Sequence, residues 1–278
     1  MSQREPEWMW DPTLFEGCAP FYDRGRLPYA PGLADALGAA LALDGRGRLL
    51  DVGCGPGTVA LRCAHLFADV VGLDPDLGML VEAARIAGER GVANARWLHG
   101  RAEELPLDVG SVDVVTFGAS FHWMDRPLVA RIVLPMLREG GAVVHVDGRH
   151  QHALEDVEGH VAVPRAQIDE LRCSYLGDGR RAGQSVRPSS PDGESAVFAA
   201  AGFVGPETVV VPDGRVVLRS ADDLVAEVLS MSSSAPHLFG DRLPAFEVDL
   251  RAVLEAAAAR EAFAVRLPDN ELNIYRTR

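Results

Sequence analysis

Leu49-Leu50-Asp51-Val52-Gly53-Cys54-Gly55-Pro56-Gly57-Thr58 is the stretch whose reading decides the fold of this chain. Its apolar residues read as the end of a buried strand, its glycines as a sharp turn, and the residues after them as the first turn of a helix. Glycine at 53, 55 and 57 permits positive φ and leaves the backbone bare for a ligand to lie against. Thr58 stands where the dinucleotide fingerprint has its third glycine, and no Gly-Lys-Ser/Thr ending makes this a phosphate-clamping loop. Asp51, two residues before the first glycine, suits a ligand bearing an ammonium group better than one bearing only phosphates.

Working outward, Leu33, Leu37 and Leu41 form a helical stripe before the first strand, placed at 48–52. Val59, Cys63, Leu66 and Phe67 mark the apolar face of the helix after the turn. Residues 69–74 (DVVGLD) show no alternation, as expected of a strand covered on both faces. A helix carrying Leu77, Leu80, Val81 and Ala84 stops near Gly91. Further strands are expected at 95–98, 111–117 and 142–146, with a helix over 127–137 that Pro135 should kink. Strands alternating with helices at this interval predict an α/β fold with a doubly wound, mostly parallel sheet.

After Asp147 the rhythm changes. Helices are expected at 164–175, 193–201, 221–231 and 243–259, and strands at 207–211 and 272–277, which bring the sheet to seven strands. The expected organisation is a lid segment at 1–30, a ligand-binding core at 31–149, cap insertions at 150–190 and 219–265, and core-completing elements at 191–218 and 266–278. The aromatics of the first segment, Trp10, Phe15 and Tyr22 among them, either pack on the core or close over a ligand.

A formal charge of −13 with 27 Lys and Arg argues against nucleic acid as a partner and toward a small molecule. An apolar content of 47% supports a large core. Cys18, Cys54, Cys63 and Cys173 form no Cys-x-x-Cys pair or zinc spacing, which predicts a reducing compartment and no metal. The charged N-terminus does not read as a signal peptide, and no apolar run is long enough to span a bilayer. The expectation is a soluble cytoplasmic chain with no membrane partner.

In open α/β sheets ligands sit outside the carboxyl ends of the strands at the topological switch point. The unusual residues cluster at such ends. Asp74 lies 23 positions after Asp51 and closes the second strand, where an acid can accept from both hydroxyls of a ribose. Arg101-Ala102-Glu103 comes after the third strand, and Ser120-Phe121-His122-Trp123 after the fourth.

With DVGCGPGT, VVGLDPDLGML, GRAEELP, VTFGASFHWMD and MLREGGAVV in this order, the chain resembles class I S-adenosylmethionine-dependent methyltransferases. It is most similar to the small-molecule branch related to trans-aconitate and quinone-biosynthesis methyltransferases. The resemblance implies a Rossmann-like sheet with a helical cap, S-adenosyl-L-methionine as cofactor and S-adenosyl-L-homocysteine as product. It further implies that Gly53, Cys54, Gly55 and Gly57 line the methionine portion, with Asp51 beneath the turn. Asp74 would hold the ribose, Pro75 and Met79 would flank the adenine, and Ala102 and Glu103 would meet its edge. Ser120 would border the sulfonium. The segment from Tyr22 to Tyr29 resembles the family's N-terminal motif, in which Arg26 would pair with the methionine carboxylate. The chain departs from the pattern at Arg101, where aspartate is usual, and at Leu27, where proline is usual.

Methyl transfer to an O, N or C atom of a metabolite is what this resemblance implies, with His122 as candidate base and Asp147 as the second choice. His122 and Trp123 serve equally as pocket walls. Tyr29, Trp123, His150, Arg181 and His237 are candidate substrate contacts. Three rival functions remain: the same cofactor used without transfer, for instance in a cyclisation; a nicotinamide oxidoreductase, against which Thr58 and Asp51 weigh; and a methyltransferase-like binding module.

Overall fold

A computed structural model of the chain describes residues 10–147, 155–179, 181–182, 185–186, 193–258 and 262–277. In chain order it begins with helices α1 (Ala19–Gly25) and α2 (Leu33–Leu41), then strand β1 (Arg48–Val52) and the short α3 (Ala60–Cys63). Next come β2 (Asp69–Asp74), α4 (Leu77–Arg90), β3 (Ala95–His99), β4 (Val112–Gly118), α5 (Arg126–Val133) and β5 (Leu137–Asp147). The second half carries β6 (Glu155–Asp156), α6 (Arg165–Leu176), β7 (Arg181–Ala182), β8 (Ser185–Val186) and α7 (Glu194–Ala201). It ends with β9 (Val204–Val211), β10 (Val216–Arg219), α8 (Ala221–Leu229), α9 (Leu243–Ala258), β11 (Phe263–Arg266) and β12 (Asn270–Arg276).

The main sheet has seven strands in the order β3-β2-β1-β4-β5-β12-β9. The first five run parallel, and β12 lies antiparallel between β5 and β9. Alternation along each strand sends side chains to two buried faces. Leu49, Val70, Val114, Val144 and Ile274 pack with α2 and α3, while Leu50, Val71, Val115, Phe117 and Val143 pack under α5 and α7. The order reverses between β1 and β4, so their carboxyl ends open a crevice there.

The helices start and stop where polar chemistry dictates. Asp76 accepts from Met79 N at 3.1 Å and Asp125 from Leu128 N at 3.1 Å, which cap α4 and α5. Gly91, at φ +67°, closes α4 in the left-handed conformation. α5 stops at Val133, and Pro135 falls in a 3-10 turn over Leu134–Met136, the break that proline imposes on an α-helix.

Two elements differ from expectation. The helix after the glycine turn is a single turn continued by a 3-10 turn over Ala64–Leu66, because too few residues separate the loop from β2 for a longer one. The cap is more than helices: β10, β11 and β6 form a three-stranded antiparallel sheet beneath α8 and α9. Its core is Leu224, Val228, Phe246, Leu250, Leu254 and Phe263, joined by Leu27 from the N-terminal segment.

That last contact shows how the N-terminal segment is held. α1 lies along α8 so closely that a Cβ on Gly25 would stand 2.2 Å from the carbonyl oxygen of Ala226. Buried Arg219 secures the same junction, its Nη2 donating to Gly25 O at 3.0 Å and to Asp223 O at 2.8 Å. Further on, Asn270 Oδ1 accepts from Ala30 N at 2.6 Å in a buried bond to β12. Gly25→Ala is therefore expected to lower stability by about 1–3 kcal/mol, the cost of overpacking against rigid backbone. Gly88→Ala, in the exposed interior of α4 with open space around it, is expected to raise stability by about 0.5–1 kcal/mol. Urea denaturation of the two variants checks both signs.

Candidate active site

The crevice over β1 and β4 is a cleft of about 800 Å³, open mouth included. Its floor is the glycine turn. Gly53, at φ +65°, allows no side chain: a Cβ would stand 2.6 Å from Ser120 Cβ. Ser120 is fixed there by donating to Val52 O at 2.6 Å, which ties the β4 loop to the end of β1. Gly55, at φ +54°, faces open space as far as the Tyr22 ring, 4.0 Å from where its Cβ would lie, which is a bare-backbone cradle. Ala119 between Gly118 and Ser120 takes φ +53°, uncommon for a residue with a side chain, at the cleft wall.

Asp74 is the decisive charge. Its Oδ2 accepts from Gly55 N at 2.8 Å and its Oδ1 from Asp76 N at 2.9 Å, so the carboxylate is clamped where β2 ends. Burial pushes its pKa up to about 6, against those two hydrogen bonds, with the charges of Asp76 and Asp51 adding to the rise. A folded-state value above the unfolded one means the folded chain takes up a proton between about pH 4 and 6. The group's stability contribution is full below that window and lost as pH rises through it, a difference of roughly 3 kcal/mol. A ligand donating hydroxyl hydrogens to this carboxylate would offset that cost.

The remaining walls come from four loops. Pro75 and Met79 stand on the α4 side, and Arg101, Ala102 and Glu103 on the β3 side. Glu103 Oε1 accepts from Asp125 N at 2.8 Å, and its Oε2 lies 3.4 Å from Arg101. Over the top come Trp10, Phe15 and Tyr22 of the N-terminal segment. Phe15 meets Trp123 edge-on with ring centroids 5.8 Å apart, and the Arg101 guanidinium lies 5.1 Å above the Trp10 ring. The lid reading of these aromatics is the one this geometry favours.

Of the expected site residues, the cleft brings together Tyr22, Gly53, Gly55, Asp74, Pro75, Met79, Arg101, Ala102, Glu103, Ser120 and Trp123. Others lie elsewhere, each for a physical reason. Asp51 sits beneath the turn, accepting from Ala60 N at 3.0 Å and Thr116 Oγ1 at 2.8 Å, so it binds α3 and β4 together. Cys54 points into the core beside Gly72, and burial pushes its thiol well up. Gly57 makes room for Trp97, whose ring would be 2.7 Å from a Cβ there, and does not face the cleft. Tyr29 is fully buried in the core near Gly118. The Nδ1 of His237 is 3.1 Å from Glu16 O, fastening the N-terminal turn to the cap. Arg26 is absent from the cleft lining and lines a neighbouring groove, 4.8 Å over the Tyr22 ring.

His122 is also outside the cleft lining. A 3-10 turn over Phe121–Trp123 separates Phe121 from its two neighbours, whose rings lie against each other at 4.7 Å. Phe121 stacks on Phe198 at 4.7 Å in the core, Trp123 enters the cleft, and His122 stays off the lining beside the Trp123 ring, with its charge felt by Glu194 at the start of α7. There Glu194 is held below the usual carboxylate range: burial opposes this, but a hydrogen bond from His145 and the charges of His145, His122 and Arg126 prevail. The His145 Nδ1 to Glu194 distance is 3.0 Å. Asp147 ends β5 opposite Glu271 and does not line the cleft. His150 and the Arg181 side chain lie outside the described residues. Among the described residues no cluster of His, Cys, Asp and Glu is arranged to hold a metal.

Comparisons with known proteins fall on the part of the chain that builds this cleft. Residues 49–141 match the family model of a methyltransferase domain. An uncharacterized methyltransferase of Mycobacterium tuberculosis, Rv3342, is 40% identical over 120 residues, 43% of this chain and 46% of the relative. The uncharacterized methyltransferase YcgJ of Bacillus subtilis is 35% identical over 101 residues, 36% of this chain and 40% of the relative. The chain thus spans less than half the length of these curated relatives.

Among solved structures, YcgJ superposes with a TM-score of 0.50 at 20% identity, covering 88% of this chain and 98% of its own. The [4+2]-cyclase SpnF superposes with a TM-score of 0.50 at 21% identity, covering 89% and 81%. Both likenesses concern the fold. Residues 49–141 are thus similar to a methyltransferase domain, a family that generally uses S-adenosylmethionine.

Because protonation turns one carboxylate oxygen from an acceptor into a donor and weakens the other, S-adenosylhomocysteine affinity is expected to hold steady above pH 7. It should then fall about tenfold per pH unit below about pH 6, as Asp74 protonates. Calorimetric titrations from pH 5 to 8 measure this.

Proposed function

We propose that this protein transfers a methyl group from S-adenosylmethionine to an O, N or C atom of a small-molecule metabolite. The observation that carries the reading is Asp74, a desolvated carboxylate clamped by Gly55 N and Asp76 N beside a bare-glycine cradle. An adenosyl ligand fits these residues: two ribose hydroxyls for Asp74, Gly53 and Gly55 along the aminoacyl portion, and Pro75 and Met79 against the base. When bound, the sulfonium supplies an electrophilic methyl group and a neutral leaving group.

What the chain adds is position and dryness. Ser120 and Trp123 wall the end of the cleft over β4, where an acceptor would approach the methyl from the side opposite sulfur. Phe15 and Tyr22 close over it and exclude water. With His122 turned away from the lining, proximity and orientation carry the reaction here. An acceptor that must lose a proton would do so without that imidazole in contact. The net charge of −13 and the enclosing lid favour a small acceptor over nucleic acid. No helix among the described residues is long and apolar enough to cross a membrane.

Isotope-labelled S-adenosylmethionine incubated with a metabolite extract tests the transfer: a labelled small-molecule product is expected. An unlabelled product formed only in the presence of cofactor would instead favour the cyclisation reading. Asp74→Ala should keep the fold by circular dichroism and weaken S-adenosylhomocysteine binding at least a hundredfold. His122→Ala should leave the pH–rate profile unchanged, whereas Trp123→Ala should reduce turnover at least tenfold. A profile that loses its neutral pKa in His122→Ala would restore the base role.

A further inference from the structure

A second depression, of about 930 Å³ with its open mouth included, adjoins the cleft at Tyr22, which lines both. Its walls come from α1 and the residues just after it, the end of the glycine turn at Pro56, Gly57 and Thr58, α3, the last turn of α4, and β10 with the start of α8. In a chain of net charge −13, five arginines line it: Arg24, Arg26, Arg62, Arg90 and Arg219, against the two acids Asp23 and Asp223.

Three of these cations have carboxylates in reach. Arg24 Nε lies 2.7 Å from Asp223 and its Nη2 3.5 Å from Asp222, while Arg90 is 3.7 Å from Asp23. Arg219 is 3.6 Å from Glu227 and is tied to the α1–α8 junction by carbonyls. Arg62 and Arg26 have no carboxylate partner among the described residues. Arg62 makes one long bond, Nη1 to Ala30 O at 3.4 Å. Burial lowers its basicity, and the nearby guanidiniums of Arg215 and Arg90 lower it further. Arg26 donates from Nη2 to Ser230 O at 2.7 Å and lies 4.8 Å over the Tyr22 ring, while its buried Nε has no hydrogen-bond partner among the described residues. Two under-neutralised guanidiniums facing one groove cost free energy that a multivalent oxyanion would offset.

We propose that this groove is a binding site for a small multivalent anion, a phosphorylated or polycarboxylate metabolite, distinct from the cofactor cleft. Arg62 and Arg26 supply the principal contacts and Arg90 adds long-range attraction. Tyr22 lines both the groove and the cleft: the Arg26 guanidinium lies 4.8 Å over its ring, and Gly55 of the cleft floor faces that ring. An anion that fixes Arg26 therefore steadies Tyr22 over the cradle. By linkage, occupancy of either site should raise affinity at the other. The groove does not depend on the methyl-transfer reading; the coupling rests on it.

Calorimetry at constant ionic strength, with inorganic pyrophosphate in one arm, citrate in the other and chloride as baseline, tests the site on the whole chain. Saturable one-to-one binding is expected in at least one arm, and which arm responds separates phosphorylated from carboxylate ligands. Arg62→Gln and Arg26→Gln should each weaken it at least tenfold, Arg62→Lys should restore part of the loss, and Arg85→Gln, outside the groove, should leave it unchanged. Circular dichroism verifies that each variant is folded. The added anion should tighten S-adenosylhomocysteine binding two- to fivefold. Absence of saturable binding in both arms, equal loss in Arg85→Gln, or competition between the anion and S-adenosylhomocysteine would overturn the site. Competition would mean that the groove is merely the far end of the cofactor cleft. Anion binding with no S-adenosylhomocysteine binding at all would keep the groove and reject the cofactor reading.

Discussion

A carboxylate denied water is the constraint on which the rest of this structure depends. Asp74 ends β2 inside the protein, and the two backbone donors it receives do not compensate for lost hydration, since its pKa still rises to about 6. Stability alone would favour a neutral side chain there. The carboxylate makes sense as a group kept for a ligand whose hydroxyls complete its solvation. The loop that presents Gly55 N to it and the α4 cap at Asp76 are the local geometry that holds it ready.

Around that charge, the fold assigns separate tasks to residues that stand side by side in the chain. Gly53 and Gly55 bare the floor of the cleft, while Gly57 yields space to Trp97 and so packs β3 against the turn. Asp51, buried beneath them, links the amide of Ala60 to the hydroxyl of Thr116, which holds α3 and β4 in register under the loop. Phe121, His122 and Trp123 divide in the same way among core, α7 and cleft. The cap and lid share one more junction, where Gly25 and Arg219 press α1 onto α8.

Much of this was legible in the amino-acid sequence, for a definable reason. Strands buried on both faces read as unbroken apolar runs, and acids or glycines at their carboxyl ends stand out against them, as Asp74 and Gly53 do. What stayed hidden depends on distant partners. Only Trp97, forty residues on, decides that Gly57 is a packing glycine. The 3-10 geometry that turns His122 away is decided by the stacking of Phe121 on Phe198. The small cap sheet joins residues near 155, 216 and 263, each segment too short to show a period of its own. The arginine groove likewise gathers residues from 24 to 219, and pairing, not composition, distinguishes Arg62 from its neighbours.

The most direct measurement is a carbon-13 NMR titration of the Asp74 side-chain carboxyl, with and without saturating S-adenosylhomocysteine. A midpoint near pH 6 is expected in the free protein, and one at least two pH units lower in the complex, where hydroxyl donors stabilise the charged form. A midpoint that stays put on saturation would contradict the ribose role of Asp74, because the ligand would then be bound without touching the carboxylate on which the site is built.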